Sequence, residues 1–295
     1  MKIILTGSLG HIGRHLVTDL APRHQVTVIT TTRTHVAAIE ALGAKAAVGQ
    51  IQDQAFMTQT LTGADAAFLM LAGNEADAAV MTHAQGAKQA QLFAKVISQA
   101  KVKRVVNLSS IGADLGPDVP GFYRYHQIEA ALDQTAAQVS HIRPAYMYND
   151  FFELFTEIRR THRIAANFSA DERQVFVAPE DVAPIIITAL TQPTPHVQYV
   201  ASDEVTGTQA IALLGAALNM PDLTWQTLSD GDFLARLVAN GVAPDLAAQQ
   251  VQMWALHRQG RLYRDYDRHH PQLQPTKFPH FATNFAKYYF NEKLI

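Results

Sequence analysis

Short apolar runs alternate with longer amphipathic stretches over the first half of the chain. The runs are rich in β-branched residues, as buried strands are, and the stretches between them show helical periodicity over roughly 10–18 residues. This alternation predicts an α/β fold, a parallel sheet with helices on both faces. The strand candidates are Lys2–Thr6, Gln25–Thr30, Ala46–Val48, Ala66–Leu71, Arg104–Leu108 and Val139–Ile142. The helix candidates are His11–Ala21, Thr34–Leu42, Gln54–Leu61, Gln85–Gln99 and Tyr125–Thr135.

The regular alternation ends near Pro144. We therefore expect a nucleotide-binding domain over residues 1–145 and a smaller mixed lobe over residues 146–295 that partly returns to the first domain. The charged run Arg264–Arg268, followed by His269 and His270, is interpreted as a solvated loop. Helices are predicted at Phe151–Arg160, Asp181–Leu190, Gln209–Leu218, Phe233–Arg261 with a break at Gly241–Pro244, and Phe281–Phe290, and strands at Gln174–Val177 and Val197–Ala201.

Composition narrows the classes of function. The chain has 295 residues, of which 48% are hydrophobic and 17% charged, and its net charge of −2 provides no basic field for nucleic acid or anionic lipid. The absence of cysteine excludes disulfides and thiolate catalysis and disfavours a zinc site. No apolar stretch reaches membrane-spanning length, and a strand that begins at residue 3 leaves no room for a signal peptide. These features predict a soluble cytoplasmic protein, and they are compatible with a homodimer.

The segment Thr6–Leu16 reads TGSLGHIGRHL and follows the first predicted strand directly. Gly7, Gly10 and Gly13 allow a tight strand-to-helix turn and a close approach of the backbone to a ligand. The following helix N-terminus offers N–H groups and a positive dipole end to a pyrophosphate. We expect this loop to bind a dinucleotide, and the alternative is a turn that packs helix on strand without a ligand. The loop residues expected to contact the cofactor are Gly7, Ser8, Gly10, His11, Ile12 and Gly13.

The end of the second strand bears on the choice of dinucleotide. An NAD-binding fold places an acidic residue there to bind the adenosine ribose, whereas this chain has Thr30, Thr31, Thr32 and Arg33. Hydroxyls and a guanidinium suit a 2′-phosphate better than a bare ribose. We therefore expect NADP(H) rather than NAD(H), with Thr31 and Arg33 as contacts. A merely solvated Arg33 is the alternative.

The order of the motifs resembles the NmrA-like branch of the atypical short-chain dehydrogenase/reductases. The loop TGSLGHIGRHL resembles the TGxxGxxG motif of that superfamily. The segment TTTRTHVAAIEALGAKAAVGQIQDQAFMTQTLTGADAAFLM (residues 30–70) resembles the following strands of the branch. RVVNLSSIGA (residues 104–113), HIRP (141–144) and FVAPEDVA (176–183) resemble its later motifs in the same order.

The resemblance implies a Rossmann-type doubly wound sheet, a small C-terminal lobe and bound NADP(H). Members of the branch include quinone reductases, phenylpropanoid-type reductases and dinucleotide-binding regulators. In this sequence Gln50 follows Gly49 where the family has an acidic residue. The edge after the fourth strand, Leu71 and Ala72, is small enough for the nicotinamide side to approach.

The catalytic set departs from the superfamily pattern. Short-chain reductases use a tyrosine with a lysine four residues later, or a lysine in the atypical branch, whereas this chain has no lysine between Lys103 and Lys277. In the corresponding segment Tyr125 or His126 falls where the branch often has lysine. A histidine titrates near neutrality and can supply the proton that carbonyl reduction requires. The alternative is an aromatic wall that only shapes a pocket.

Two further positions have open interpretations. Ser109 follows the fifth strand, where a hydroxyl could orient a substrate carbonyl, or it could cap the next loop. Tyr146, Met147, Tyr148 and Phe151 could line the substrate side, or some of them could form the core of the smaller lobe. We expect no metal site, because His11 and His15 have helical i, i+4 spacing but no cysteine or carboxylate nearby.

Two functions from different classes fit these residues. The first is an NADP(H)-dependent oxidoreductase that reduces a small conjugated carbonyl or quinone by hydride transfer. The second is a dinucleotide-sensing regulator with little or no turnover, which the missing lysine favours. Turnover of NADPH across a panel of carbonyl substrates distinguishes them.

Overall fold

The computed structural model describes residues 1–71 and 83–291. Contacts divide the chain into two units. The first unit comprises Met1–Pro144 and Val182–Tyr199, and the second comprises Ala145–Asp181 and Val200–Ile295.

A seven-stranded sheet forms the centre of the first unit. Its spatial order is β10-β6-β5-β4-β1-β2-β3, and β1 to β6 are parallel throughout. The order reverses between β1 and β4, which is the switch point where doubly wound folds bind ligands. The strands are β1 (Lys2–Leu5), β2 (Gln25–Thr30), β3 (Lys45–Val48), β4 (Ala66–Leu69), β5 (Arg104–Leu108), β6 (Gln138–Pro144) and β10 (Val197–Val200).

Helices pack on this sheet because their apolar residues lie on one face. In the first helix Leu16, Val17 and Leu20 are buried while the residues between them are exposed. Every residue of β4 is buried, as expected for a central strand covered on both faces. The helices are α1 (Gly13–Leu20), α2 (Val36–Ala41), α3 (Gln54–Leu61), α4 (His83–Ala100), α5 (Pro120–Leu132) and α7 (Pro179–Thr191), the last shared between the units.

The predicted α/β class with a doubly wound parallel sheet is confirmed, and the differences lie at element ends. Helix α1 begins at Gly13 rather than His11 because the preceding residues form the loop. A 3-10 turn over Arg33–His35 precedes α2, capped by the Thr32 hydroxyl, which accepts from the Thr34 N–H. Helix α5 begins at Pro120, five residues before the prediction, since proline is compatible with the first helical turn.

The second unit contains two small sheets. One has the order β11-β9-β7 and the other pairs β12 with β8. The strands are β7 (Tyr146–Met147), β8 (Arg163–Ala166), β9 (Arg173–Val177), β11 (Asp203–Thr206) and β12 (Thr224–Thr227). The helices are α6 (Phe155–Thr161), α8 (Gly207–Ala217), α9 (Asp230–Ala239), α10 (Pro244–Arg258), α11 (Arg264–His269) and α12 (Phe278–Phe290).

Aromatic rings form the core of the second unit. The Tyr148 ring stacks on Phe281 with 4.8 Å between centroids, and Phe151 lies 5.3 Å from Phe176. Both Tyr148 and Phe151 are buried, so they belong to this core. Burial raises the pKa of the Tyr148 phenol above its ordinary value.

The predicted solvated loop at Arg264–Arg268 is wrong, because these residues form helix α11. Two residues of this helix make contacts that the charge pattern does not indicate. Tyr266 is buried and donates to Glu204, and Asp267 accepts two hydrogen bonds from Arg173. Among residues 1–71 and 83–291, no helix is long and apolar enough to cross a membrane.

Candidate functional site

The glycine loop, defined as Gly7–Gly13, connects β1 to α1 at the switch point of the sheet. The chain turns sharply there because Gly7 and Ser8 both adopt positive φ, +96° and +53°. Thr6 fixes the start of the loop, since its N–H donates to the Phe68 carbonyl and its hydroxyl accepts from the Met70 N–H at 2.8 Å. The loop is thereby attached to the end of β4.

The three glycine positions of the loop have different surroundings, so a side chain at each would have a different effect. A Cβ at Gly7 would lie 2.0 Å from the sulfur of Met70, and one at Gly13 would lie 2.2 Å from the backbone oxygen of Ser8. Among residues 1–71 and 83–291, a Cβ at Gly10 would meet only the Gly7 oxygen, at 4.0 Å. The positive φ of Gly7 and the Ser8 backbone beside Gly13 therefore explain these two glycines within the fold. The described residues leave room beside Gly10, as a loop that admits a ligand to its backbone requires.

The loop also presents unpaired backbone donors. None of the N–H groups from Gly7 to Gly13 donates to another residue of the described part of the chain. Two of them belong to Ile12 and Gly13, which are buried at the start of α1. Such N–H groups, together with the positive end of a helix dipole, form an anion-binding site. His11 is exposed on the same loop.

Polar side chains connect the loop to the end of β2. The Ser8 hydroxyl lies 2.9 Å from Nδ1 of His35 and 3.4 Å from the Thr30 hydroxyl. Thr30 is buried and also lies 3.2 Å from Nδ1 of His35. The predicted contacts Thr31 and Arg33 are exposed beside this cluster, and Arg33 has no ion pair among the described residues.

Ser109 lies at the carboxyl edge of the same sheet and contacts a buried ion pair. Its hydroxyl donates to Oε1 of Glu129 at 2.6 Å. Arg143 binds both oxygens of Glu129, at 2.9 Å through Nε and 2.6 Å through Nη2. All three residues are buried. In this arrangement the Ser109 proton is held by the carboxylate, and Ser109 presents lone pairs rather than a donor to its surroundings.

The network extends to β10. Arg143 donates to the hydroxyl of Tyr199 at 2.8 Å, and that hydroxyl donates to Asp114 at 3.4 Å. Burial alone lowers the pKa of Arg143, but hydrogen bonds and the charge of Glu129 outweigh it and raise that pKa above its ordinary value. The guanidinium therefore stays charged, and the Glu129–Arg143 pair fixes α5 against β6.

His126 and Tyr125 lie side by side on α5 but have different surroundings. Nδ1 of His126 lies 3.2 Å from the Ala113 carbonyl, which can only accept, so Nδ1 carries a proton. The ring stacks on Tyr123 with centroids 5.8 Å apart. Tyr125 packs against the sheet core and lies under the Arg124 guanidinium, 4.8 Å away. Both His126 and Tyr125 are half-buried.

Leu71 is buried just beyond β4, and Ala72 lies outside the described residues. The roles expected for the sequence-predicted contacts stay predictions. His35 and the Glu129–Arg143 pair were not predicted from the sequence, and they contact the predicted residues Ser8 and Ser109 respectively. His35 was detectable only as a polar residue two positions after Arg33, and the long spacing of Glu129 and Arg143 gave no sign that they pair with Ser109.

A strand, a glycine loop and a helix at the switch point of a doubly wound sheet define a dinucleotide-binding protein. The chain belongs to the NAD(P)H-binding family, whose family model matches residues 7–193. This match confirms the expectation of a nicotinamide dinucleotide at the level of the family. No curated protein matches the chain.

Solved structures resemble the whole chain. The NADPH-dependent quinone oxidoreductase of Escherichia coli, complexed with NADPH, has a TM-score of 0.79 and 19% identity, with 98% of this chain and 100% of that chain covered. The Citrobacter triphenylmethane reductase complexed with NADP(H) has a TM-score of 0.79 and 17% identity, with 96% and 99% covered. The negative transcriptional regulator NmrA has a TM-score of 0.75 and 14% identity, with 100% and 98% covered. At these identities the likeness shows the fold, which the chain shares with NmrA and with the two reductases.

Proposed function

We propose that the chain is an NADP(H)-dependent oxidoreductase that reduces a small conjugated carbonyl, such as a quinone. The observation that carries this proposal is the glycine loop, where Gly10 and the N–H groups at the start of α1 lie together and no described residue accepts from those N–H groups. A pyrophosphate suits this site, because its charge is favoured by the N–H groups and by the helix dipole. The NADP(H)-bound neighbours of the same fold support the proposal.

The end of β2 supports NADP(H) over NAD(H). Arg33 is exposed and supplies a charge for a 2′-phosphate, and Thr31 supplies a hydroxyl. Ser8 and Thr30 hold the His35 ring beside them, which adds a third polar group. No acidic residue occupies the position that binds a bare ribose in NAD-specific folds.

When bound, a reduced nicotinamide supplies a hydride to the substrate carbonyl. His126 can supply the accompanying proton only as the imidazolium, because in the neutral ring the proton sits on Nδ1 and is donated to Ala113. Ser109 cannot donate to a carbonyl while its proton is held by Glu129. A quinone suits this set of residues, since the hydroquinone anion formed by hydride addition is stable and takes a proton from solvent.

The second candidate is an NADP(H)-sensing regulator without turnover. The engaged hydroxyl of Ser109 and the lack of a lysine between Lys103 and Lys277 favour it. The fold is shared with the regulator NmrA, which supports the same candidate. In this function, occupancy of the dinucleotide site would shift the affinity for another protein.

Turnover separates the two candidates. NADPH and NADH oxidation would be followed across a panel of quinones and aldehydes, with dinucleotide binding measured in parallel by nicotinamide fluorescence. We expect quinone-dependent oxidation of NADPH. Tight NADPH binding with no oxidation by any member of the panel would reject the enzyme and favour the regulator.

The cofactor preference has its own test. Arg33→Ala should weaken NADPH binding about tenfold to a hundredfold, the value of one or two hydrogen bonds to a charged group, and leave NADH binding unchanged. Arg23→Ala, which removes an exposed arginine after α1, is the matched control. Equal affinity of the native chain for NADPH and NADH would contradict the preference.

A further inference from the structure

The structure brings together three polar side chains that the proposed function does not use. Asp133 directly follows α5, His141 lies in the middle of β6, and His196 directly precedes β10. Nε2 of His141 lies 2.9 Å from a carboxylate oxygen of Asp133, and Nε2 of His196 lies 3.2 Å from that carboxylate. The two imidazole rings meet edge to face, with 4.9 Å between centroids. All three residues belong to the first unit.

The hydrogen bonds of His196 leave an acceptor pointing at the carboxylate. Its Nδ1 lies 3.1 Å from the carbonyl oxygen of Val139, which can only accept, so in the neutral ring the proton is on Nδ1. Nε2 then carries a lone pair directed at Asp133. Two acceptors that face each other at this distance repel unless a cation lies between them.

His141 can also present a nitrogen lone pair to a cation at this position. Its side chain is 1% exposed, and its Nδ1 lies 3.1 Å from the side-chain amide of Asn107. The oxygen and nitrogen of an amide are interchangeable by a half-turn, and with its oxygen towards the ring Asn107 accepts from Nδ1–H and frees Nε2. Metal-binding histidines use such an outer hydrogen bond to fix the tautomer, and Val139 provides the equivalent for His196.

We propose that Asp133, His141 and His196 bind one divalent transition-metal ion of the Zn²⁺ class, with water completing the coordination. Imidazole nitrogen and carboxylate oxygen are ligands that such ions prefer. Tetrahedral ligands with bonds of about 2.0–2.1 Å lie about 3.4 Å apart. The two distances to Asp133 are 2.9 and 3.2 Å and all three ligand atoms lie within 4.8 Å of one another, so only the two histidine nitrogens have to approach, by at most about 1.4 Å. The His196 side chain is 56% exposed, so a shift of its ring displaces solvent rather than packed atoms.

The ion joins segments that are distant in the sequence. His196 belongs to Val182–Tyr199, the segment through which the chain re-enters the first unit, while Asp133 and His141 belong to α5 and β6. A ligand that binds only the folded arrangement stabilises it. The metal therefore acts as a structural tie between the returning segment and the sheet.

Metal binding by the chelator-treated full-length chain tests the proposal. CoCl₂ is titrated with detection of its visible absorption, and ZnCl₂ is titrated by calorimetry and by the thermal unfolding midpoint. The variants are His196→Ala and Asp133→Asn, the second of which still accepts from His141. The matched control is His162→Ala, which removes an exposed histidine that contacts a single carboxylate, Asp222, at 2.6 Å. A second control, His15→Ala, removes the i, i+4 histidine pair at the start of α1.

We expect one equivalent of metal to bind the native chain and both controls with the same affinity, and Zn²⁺ to raise their unfolding midpoints. His196→Ala and Asp133→Asn should weaken binding at least about tenfold, since even the loss of an outer-shell partner has that effect. Unchanged binding in both of these variants, loss of binding with His15→Ala, or no binding by the native chain would overturn the proposal.

Discussion

The hydroxyl of Ser8 and Nδ1 of His35 lie 2.9 Å apart, and this contact joins the glycine loop to the turn after β2. Ser8 belongs to the loop expected to bind the pyrophosphate, and His35 belongs to the 3-10 turn that contains Arg33. One side-chain contact therefore connects the groups proposed for two different phosphates of a single cofactor. Thr30 supports it from the buried side.

His35→Ala should weaken NADPH binding about threefold to tenfold, because one hydrogen bond that orders the loop is lost. The effect on unfolding should be small, since His35 is exposed. Nicotinamide fluorescence measures the affinity, and His15→Ala, an exposed histidine on α1, is the control. An affinity equal to that of the native chain would show that the contact does not contribute to binding.

Gly10→Ala should lower NADPH affinity without lowering stability, whereas Gly13→Ala should lower stability. At Gly10 a methyl group would meet only the Gly7 oxygen among the described residues, at 4.0 Å, so stability is kept while NADPH affinity falls. At Gly13 the methyl group would lie 2.2 Å from the Ser8 oxygen, and the strain should cost about 1–3 kcal/mol of unfolding free energy. Urea unfolding and NADPH titration of both variants check this. Full NADPH affinity in Gly10→Ala would contradict the proposed position of the cofactor.

His126→Asn distinguishes a role of His126 as proton donor from a purely structural role of its hydrogen bond. The asparagine amide can still donate to the Ala113 carbonyl but cannot carry a titrating proton. We expect the reduction of aldehydes to fall about a hundredfold or more, because an alkoxide needs a proton donor, and the reduction of quinones to change little. Tyr125→Phe tests the other candidate donor on the same helix. Equal losses for both substrate classes would argue against His126 as the donor.

Glu129→Gln and Ser109→Ala test the buried network. Glu129→Gln leaves the Arg143 charge buried without its partner and should cost about 3–5 kcal/mol of unfolding free energy. Ser109→Ala removes one hydrogen bond to a carboxylate that keeps both contacts with Arg143, and should cost about 1–3 kcal/mol. Urea unfolding of each variant measures the difference. Similar losses for the two would show that the ion pair is not the dominant contact.

The stability of the second unit should fall in mild acid because of His257. Burial lowers the pKa of this histidine below its ordinary value, although its hydrogen bond to the Arg173 carbonyl opposes the effect. The unfolded chain therefore binds more protons, and stability is complete above the unfolded pKa of about 6.5 and is lost as the pH falls below it.

His257→Gln can keep the hydrogen bond to Arg173 without titrating, so its thermal midpoint should fall less than that of the native chain between about pH 7.5 and 5.5. His269→Gln, at an exposed histidine, should behave like the native chain. His141 contributes with the same sign in the first unit, because burial also lowers its pKa. An identical fall in His257→Gln would assign the acid sensitivity elsewhere.

The sequence predicted most of the first unit because its periodicity is strong. The strands Gln25–Thr30 and Arg104–Leu108 have the predicted bounds, since buried β-branched runs leave little ambiguity. The second unit was predicted less completely. Its strands β8 and β12 are four residues long and pair with each other across about sixty positions, a contact that no local pattern reveals.

The candidate site was also predicted only where its residues are close together in the sequence. The glycine loop is local, so its residues were found together. The Ser109–Glu129–Arg143 network is assembled by the register of β5 and β6 and by the packing of α5, and spacing along the chain gives no sign of it. Charge patterning failed at α11 for a related reason, because Tyr266 is buried by residues distant in sequence.

The different surroundings of Gly7, Gly10 and Gly13 have a consequence for genetics. In a library of loop variants, selection for folding alone should retain glycine at positions 7 and 13 and accept other residues at position 10. Selection for cofactor-dependent activity should retain all three. A lineage of this chain that had abandoned its dinucleotide would then be recognisable by drift at position 10 beside two glycines that the fold itself preserves.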